Sequence, residues 1–375
     1  MRILHFITSL RPGGAERLVT DLLLRLREAG EDVSLLLLDG TRTPFYDEVE
    51  RTGIQVTALS EGFESMRNPL LLFRLARFLR DGRFDIIHTH NTSCQFLAAA
   101  ASLSAPGRLV TTEHNTTNRR RAWRWFRPVD RWMYSRYARI ICVGEETLRN
   151  LVDHLGKDVS GKVVKITNGV DLRRFAEAVP DPVVASDPGF KVIMVAAFRA
   201  QKDQATLIRA VSLLPEDYHL YLVGGVELPE DEPNLTSCEE LVRSRGLEGR
   251  VRFLGKRGDV PSLLAASDLV VLSTRYEGMS LSVIEGMASD KPFAASDVSG
   301  VRDQVLGAGI LFPEGDEGEL AGLIRGLRED PAAAAEVASR CRARASEYDL
   351  SETVRAHLSL YDSISGGSKW LKTEQ

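Results

Sequence analysis

The feature that most constrains this chain is an alternation, run through twice, of short apolar stretches with amphipathic ones. Apolar runs fall at residues 3–8, 33–38, 54–58, 85–89, 108–112, 140–143 and 163–166. A second series falls at 191–196, 219–223, 251–254, 269–272, 292–295 and 310–312. Runs this short and this apolar read as strands buried on both faces. Most of the stretches between them repeat at helical spacing, and residues 15–28 set Leu18, Leu22 and Leu26 on one face. The pattern predicts an α/β architecture of two parallel sheets, each with helices on both sides. A length of 375 residues, too great for one core, agrees. The expected domains are 1–175 and 191–346, with a linker at 176–190 that carries Pro180, Pro182 and Pro188. A helix at 347–364 is expected to pack back on the first domain, and 365–375 to be a disordered tail.

One stretch concentrates chemistry, Ser273 to Ser289. It follows the apolar run at 269–272. Gly278 breaks the strand pattern, and Leu281, Ile284, Glu285 and Ala288 then recur at helical spacing. The reading is strand, tight turn, helix, with Ser280 or Ser282 as N-cap. The amide N–H groups of residues 279–282 are then unpaired and form an anion site. Glu277 stands at the turn and Glu285 two turns into the helix. Carboxylates on both sides of an anion site suit a ligand that is both anionic and rich in hydroxyls, as a nucleotide sugar is. The alternative is a solvated loop residue and an exposed helix residue.

Other polar groups fall at strand ends, where open α/β sheets bind ligands. Gly13-Gly14 follow the first run, and His88-Thr89-His90-Asn91 and Thr111-Thr112-Glu113-His114-Asn115 follow two others. Arg199 and Lys202 follow the first run of the second half, and Gly224-Gly225 the next. The dinucleotide fingerprint G-x-G-x-x-G is absent, which argues against an oxidoreductase.

Composition bounds the rest. Hydrophobic content of 43% and charged content of 27% are those of a globular protein. Net charge is −4, yet residues 1–175 hold 27 Lys and Arg against 20 Asp and Glu, and the remainder 21 against 32. The window Arg119 to Arg139 supplies that basic excess and interleaves it with Trp123, Trp125, Phe126 and Trp132. Such a window suits an anionic membrane surface, through Arg119–Arg131, or a surface helix whose aromatics pack inward. The acidic balance of the whole chain argues against nucleic acid. Cys94, Cys142, Cys238 and Cys341 are scattered without metal-ligand spacing, so a reducing, cytoplasmic setting is expected, with any membrane contact peripheral and at the inner face. Residues 1–10 read as a buried strand, not a signal peptide, and no stretch reaches membrane-spanning length.

Four motifs carry a resemblance. G-G-A-E at 13–16, I-T-N-G-V-D at 166–171, Q-K-D at 201–203 and E-G-M-S-L-S-V-I-E at 277–285 resemble the retaining glycosyltransferases of family GT4, in the right order over nearly the whole chain. The resemblance implies a GT-B fold, two Rossmann-like domains facing a central cleft, with a nucleotide-sugar donor on the second and the acceptor mostly on the first. It gives Glu285 the ribose hydroxyls, Glu277 the donor sugar hydroxyls, and the amides of Ser280 and Leu281 the diphosphate. Lys202, helped by Arg199, would neutralise the phosphate. Gly14 would let the first turn close on the donor, His114 would lie near the transferred sugar, and Lys256 and Arg257 would flank the base. His90, Asn91, Glu113 and Asn115 would face the acceptor side. Three positions depart from the pattern. Ala197 stands where the family carries a basic residue and Arg199 follows two places later. Ser299-Gly300-Val301-Arg302-Asp303 replaces Gly-Gly-x-x-Glu, and Asp290 replaces a glycine.

No Asp-x-Asp pair is present to hold a metal, so no metal or other cofactor is expected and the nucleotide sugar is a co-substrate. Protein dipoles and cations must then stabilise the departing nucleoside diphosphate. The expected reaction is front-face, retaining transfer without a covalent intermediate. The competing readings are a non-catalytic nucleotide-sugar or glycan-binding protein, and a sugar-nucleotide epimerase or phosphorylase on the same fold.

Overall fold

The computed structural model describes residues 1–11, 13–62, 68, 70–103, 107–114, 121, 123–226 and 229–365. Asn115, Arg119, Arg120 and the expected tail beyond Ser365 lie outside the described residues. The chain forms two compact units. The first comprises Met1–Gly169 and the chain from Leu350 onward, and the second Val170–Asp349.

The first unit holds β1 (Arg2–Ile7), β2 (Asp32–Asp39), β3 (Gln55–Ser60), β4 (Ile86–His90), β5 (Arg108–Glu113), β6 (Arg139–Cys142) and β7 (Val163–Lys165). All are parallel, in the order β3-β2-β1-β4-β5-β6-β7. The second holds β8 (Phe190–Val195), β9 (Tyr218–Val223), β10 (Val251–Gly255), β11 (Leu269–Leu272), β12 (Phe293–Ser296) and β13 (Ile310–Phe312). They too are parallel, in the order β10-β9-β8-β11-β12-β13. Each apolar run of the sequence has become a strand. The central ones are buried on both faces, which is why they lack alternation. Leu18, Leu22 and Leu26 are buried as their spacing requires. In each sheet the strand order reverses once, between β1 and β4 and between β8 and β11. Crevices open there beyond the strand ends.

The stretch 176–190 is not a linker but belongs to the second unit. Asp181 caps a one-turn helix, Pro182–Ala185, accepting from the amides of Val183 and Val184 at 3.0 Å each. Pro182 sits at its first position, where proline costs no hydrogen bond. Asp187, 6% exposed, accepts from Tyr221 Oη at 2.5 Å and the Gly189 amide at 3.2 Å, and pairs with His219 and Arg252. The prolines thus mark a pinned segment. The helix Leu350–Ser365 belongs to the first unit, where Leu350, Val354 and Tyr361 are buried and Thr353 Oγ1 donates to the Thr167 carbonyl at 2.9 Å.

Burial raises the Asp187 pKa, but its bonds to Tyr221, His219 and Gly189 outweigh that and pull it from 3.8 to about 2. A depressed carboxylate stabilises the fold above its unfolded pKa, and that contribution is lost as pH falls through the folded value. The acid limb of unfolding between those two values should therefore be shallower in Asp187→Asn than in the wild type. Equal slopes by circular dichroism would contradict this.

Candidate active site

In the second unit the chain leaving β8 and the chain leaving β11 are stitched together. The Asp203 amide donates to Ser273 O at 3.1 Å, the Arg275 amide to Gln201 O at 2.9 Å, and Ser273 Oγ to Asp203 O at 2.7 Å. Glu277, 7% exposed, is held in this seam. Its Oε1 accepts from Lys202 Nζ at 2.5 Å and Thr274 Oγ1 at 2.9 Å, and its Oε2 from Gln201 Nε2 at 3.2 Å. A carboxylate has about four acceptor positions. Three are filled, and the one left over lies on Oε2.

The helix Leu281–Ala288 begins directly after this turn, with Ser280 at its N-cap in extended conformation and no side-chain cap bond. Not every amide here is open. The Ser280 N–H donates to Gln304 Oε1 at 3.2 Å, and Gln304 Nε2 returns a bond to Ser280 O at 3.3 Å. The first-turn amides of Leu281 and Ser282 lack intrahelical partners by helix geometry, whereas the Ser280 amide, expected to be unpaired, is taken. Gly300 closes the turn from behind. Its φ is +80°, and an added Cβ would stand 2.1 Å from the Glu277 carbonyl oxygen. The altered Ser299-Gly300 motif therefore keeps the glycine that matters. Glu285 is half-buried on the same helix.

Arg199 lies 3.8 Å from Asp231 and is 43% exposed. Lys256 is exposed. Arg257 donates to Asp259 at 2.7 Å and Asp181 at 3.0 Å, so its charge is engaged within the unit.

In the first unit Gly14 opens the helix Gly14–Glu28 after β1. His90 ends β4 and His114 follows β5. His90 Nδ1 is 3.0 Å from His114 Nε2, and His90 Nε2 is 3.0 Å from His5 Nδ1. Burial lowers all three imidazole pKa values, His5 to about 3 and His114 to about 4, with neighbouring imidazoles adding to the shift. Asn91 holds φ +70° without a side-chain cap. Such a backbone costs about 1–3 kcal/mol and survives where its surroundings impose it. Glu113 differs from expectation. Its Oε1 accepts from Gln95 and Tyr134 at 2.5 and 2.6 Å, and its Oε2 from Arg121 at 2.7 Å. It faces inward and anchors the chain beyond β5. Arg121, 10% exposed on its side chain, is thereby removed from the basic surface window. Trp123, Trp125 and Trp132 are exposed, while Phe126 packs on Phe96 and Tyr134 and Tyr137 are buried, so the window's tryptophans face outward and its other aromatics inward. His5, His88 and His90 are the grouping among the described residues whose ligand atoms approach closely enough for a metal, within 4.8 Å.

Sequence reasoning missed Gln201, Thr274, Gln304, Gly300's contact and His5. All but Thr274, which reaches Glu277 three residues on, act across a long stretch of chain, and no local spacing signals them.

Two parallel α/β units, each with polar groups where the strand order reverses, are the architecture of the GT-B class. The chain belongs to the group 1 glycosyltransferases: residues 12–174 match Glycosyltransferase Family 4 and residues 189–330 match Glycosyl transferases group 1. It is 27% identical over 369 residues to a phosphatidyl-myo-inositol mannosyltransferase of Mycolicibacterium smegmatis, covering 95% of this chain and 91% of that one. It is 26% identical over 286 residues, 72% of each chain, to the UDP-Gal:alpha-D-GlcNAc-diphosphoundecaprenol alpha-1,3-galactosyltransferase of Escherichia coli. The fold matches that of Anabaena HepE, solved with UDP and glucose, at a TM-score of 0.84 and 24% identity, covering 97% of this chain and all of that one. The protein is thus a glycosyltransferase that uses a nucleotide sugar.

Gly300→Ala tests the turn. The strained φ and the backbone clash should cost about 1–3 kcal/mol of stability and weaken nucleotide-sugar binding. An unchanged denaturation midpoint with unchanged affinity would show that the turn tolerates a side chain.

Proposed function

We propose that the chain is a retaining hexosyl- or N-acetylhexosaminyltransferase that takes its sugar from a UDP-sugar, without a metal, and gives it to a lipid-linked or glycan acceptor. The observation that carries this is Glu277, oriented by Lys202, Thr274 and Gln201 beside the open amides of the helix Leu281–Ala288. In this reading Oε2 of Glu277 accepts from donor sugar hydroxyls, Glu285 from the ribose, and the amides of Leu281 and Ser282 hold the diphosphate. Lys202 and Arg199 balance the charge of the departing UDP. His114 lies near the transferred sugar, and the turn at Gly14 closes on the donor. Glu277 is committed to hydroxyl binding, so transfer is front-face, with the leaving phosphate helping to deprotonate the acceptor. The UDP in HepE supports the choice of base. Small-molecule acceptors fit the same geometry and are separated by the assay.

Two relatives are named for lipid-borne acceptors. The exposed side chains Trp123, Trp125 and Trp132, with exposed Arg131, give this chain a surface suited to the headgroup region. Stacking of Trp123 on Trp125, centroids 5.8 Å apart, keeps both rings on that face. No helix among the described residues is long and apolar enough to cross a membrane. A peripheral contact at the inner face of the membrane, with the enzyme in the cytoplasm, follows from this reading.

Turnover of UDP-, GDP- and ADP-sugars with candidate acceptors, the product anomer read by NMR, tests the assignment. Glu277→Gln should lower kcat by about 10²–10³ by loss of one preorganised contact. An inverted product, or a glycosyl-enzyme trapped on Glu277, would overturn the front-face retaining mechanism. Flotation with anionic vesicles tests the surface: Trp123→Ser/Trp125→Ser should leave the protein unbound, and equal flotation of variant and wild type would exclude these rings as the contact.

A further inference from the structure

Five of the chain's seven histidines gather in the first unit: His5 on β1, His88 and His90 on β4, His114 beyond β5 and His357 on the helix Leu350–Ser365. Three of them form a line. His5 Nδ1 meets His90 Nε2 at 3.0 Å, and His90 Nδ1 meets His114 Nε2 at 3.0 Å. His88 stands outside the line, because its nitrogens face Tyr361 Oη at 2.6 Å and Thr112 Oγ1 at 2.8 Å. His357 spends Nδ1 on the Thr353 carbonyl at 2.7 Å.

Hydrogen counting decides the polarity of the line. A neutral imidazole carries one N–H. Burial keeps these rings neutral at neutral pH. Three rings bring three hydrogens, and the two nitrogen–nitrogen contacts take one each. The third must sit at an end, on His5 Nε2 or on His114 Nδ1. His5 Nε2 is fully buried with no partner. An orphaned N–H there is the costlier alternative, since buried donors without acceptors are rarer than underused acceptors. His114 is half-buried, and its Nδ1 has no partner among the described residues, so a hydrogen there can reach solvent or ligand. The oxygens of Glu113, the neighbouring carboxylate, accept from Gln95, Tyr134 and Arg121, and no bond joins them to His114 among the described residues.

We infer that His90, backed by His5, is a positioning residue that locks His114 as the Nδ1–H tautomer, so that His114 offers its ligand a hydrogen-bond donor and not a base. Its partner is then an oxygen acceptor, a sugar hydroxyl or a phosphate oxygen. That identification of the ligand rests on the glycosyltransferase reading, whereas the tautomer does not. His114 Nε2, the nitrogen that would otherwise be the stronger candidate for proton abstraction, is turned inward and occupied.

The test labels the full chain with 15N-histidine and reads each ring by long-range proton–nitrogen correlation at neutral pH, with His114→Gln assigning its signals. The expected result is a single Nδ1–H state for His114 in the wild type and a mixture containing Nε2–H in His90→Phe. An Nε2–H state in the wild type overturns the inference, as does an unaltered His114 in His90→Phe. So does a chelator-sensitive spectrum with bound Zn²⁺, since a metal would take the lone pairs that the line requires. Kinetics supplies the second readout. His90→Phe should lower kcat about 10- to 100-fold, by analogy with the partners that orient metal-bound histidines, with donor KM little changed. His90→Gln, whose amide can still donate, should recover most of it. The expected spectrum with unchanged turnover in His90→Phe would overturn the role in transfer while leaving the tautomer standing, so a failure of the enzymatic reading and a failure of the relay are told apart.

Discussion

The strand ends of β8 and β11 in the second unit depend on one buried ion pair, Lys202 with Glu277. Two charges withdrawn from water cost several kcal/mol each unless attraction and further hydrogen bonds offset the loss. Thr274 and Gln201 supply those bonds, one to each carboxylate oxygen. Removing one member of such a pair commonly destabilises by about 3–5 kcal/mol, because the other is left buried and unpaired. The consequence is positional. The loop after β8 and the turn after β11 share the pair, so they move as one body. The helix Leu281–Ala288 starts from a platform that Gln304 and Gly300 hold from behind. An acceptor on Glu277 Oε2 is thereby aimed before any ligand arrives, which is the condition for electrostatic preorganisation.

The first unit reaches a comparable result without charge. Its line of imidazoles is held neutral by burial, so no ion needs a partner, and direction comes from counting hydrogens. The cost appears elsewhere: an unpartnered nitrogen on His5 and a strained φ at Asn91, both beside the residues they serve. An ionic anchor nearby, Glu113 with Arg121, fixes the end of β5 next to His114.

The strands were legible because burial on both faces leaves an uninterrupted apolar signature that nothing else in so short a span produces. The Glu277 turn was legible because a glycine between a buried strand and a helical period admits few conformations. The domain boundary was not. Pro180, Pro182 and Pro188 look like linker punctuation, yet Pro182 opens a helix capped by Asp181, and Asp187 is clamped to Tyr221 from a distant strand. Arg121 and Glu113 misled in the same way, since a basic window and a strand-end carboxylate each read as surface groups until they meet across eight residues. Gln201, Thr274 and Gln304 carry no signature, because a glutamine or threonine is informative only once its tertiary partner is in place.

Arg199 takes its position from the path of the chain leaving β8. Gly224, at φ +147°, runs so close to the chain leaving β8 that an added Cβ would stand 2.0 Å from Ala196 O. Phe198 turns inward, 1% exposed, against Phe253. The chain then turns tightly, with the Arg199 amide on Ala197 O at 2.9 Å and the Lys202 amide on Arg199 O at 2.8 Å. Arg199 emerges on the outside of this turn, loosely paired with Asp231, while Lys202 is fixed on Glu277. A half-exposed pair at that distance is worth at most about 1 kcal/mol, whereas pulling Lys202 from Glu277 would release the turn itself. On the proposed reading both cations balance the departing diphosphate, and Lys202 in addition orients the carboxylate that reads the sugar.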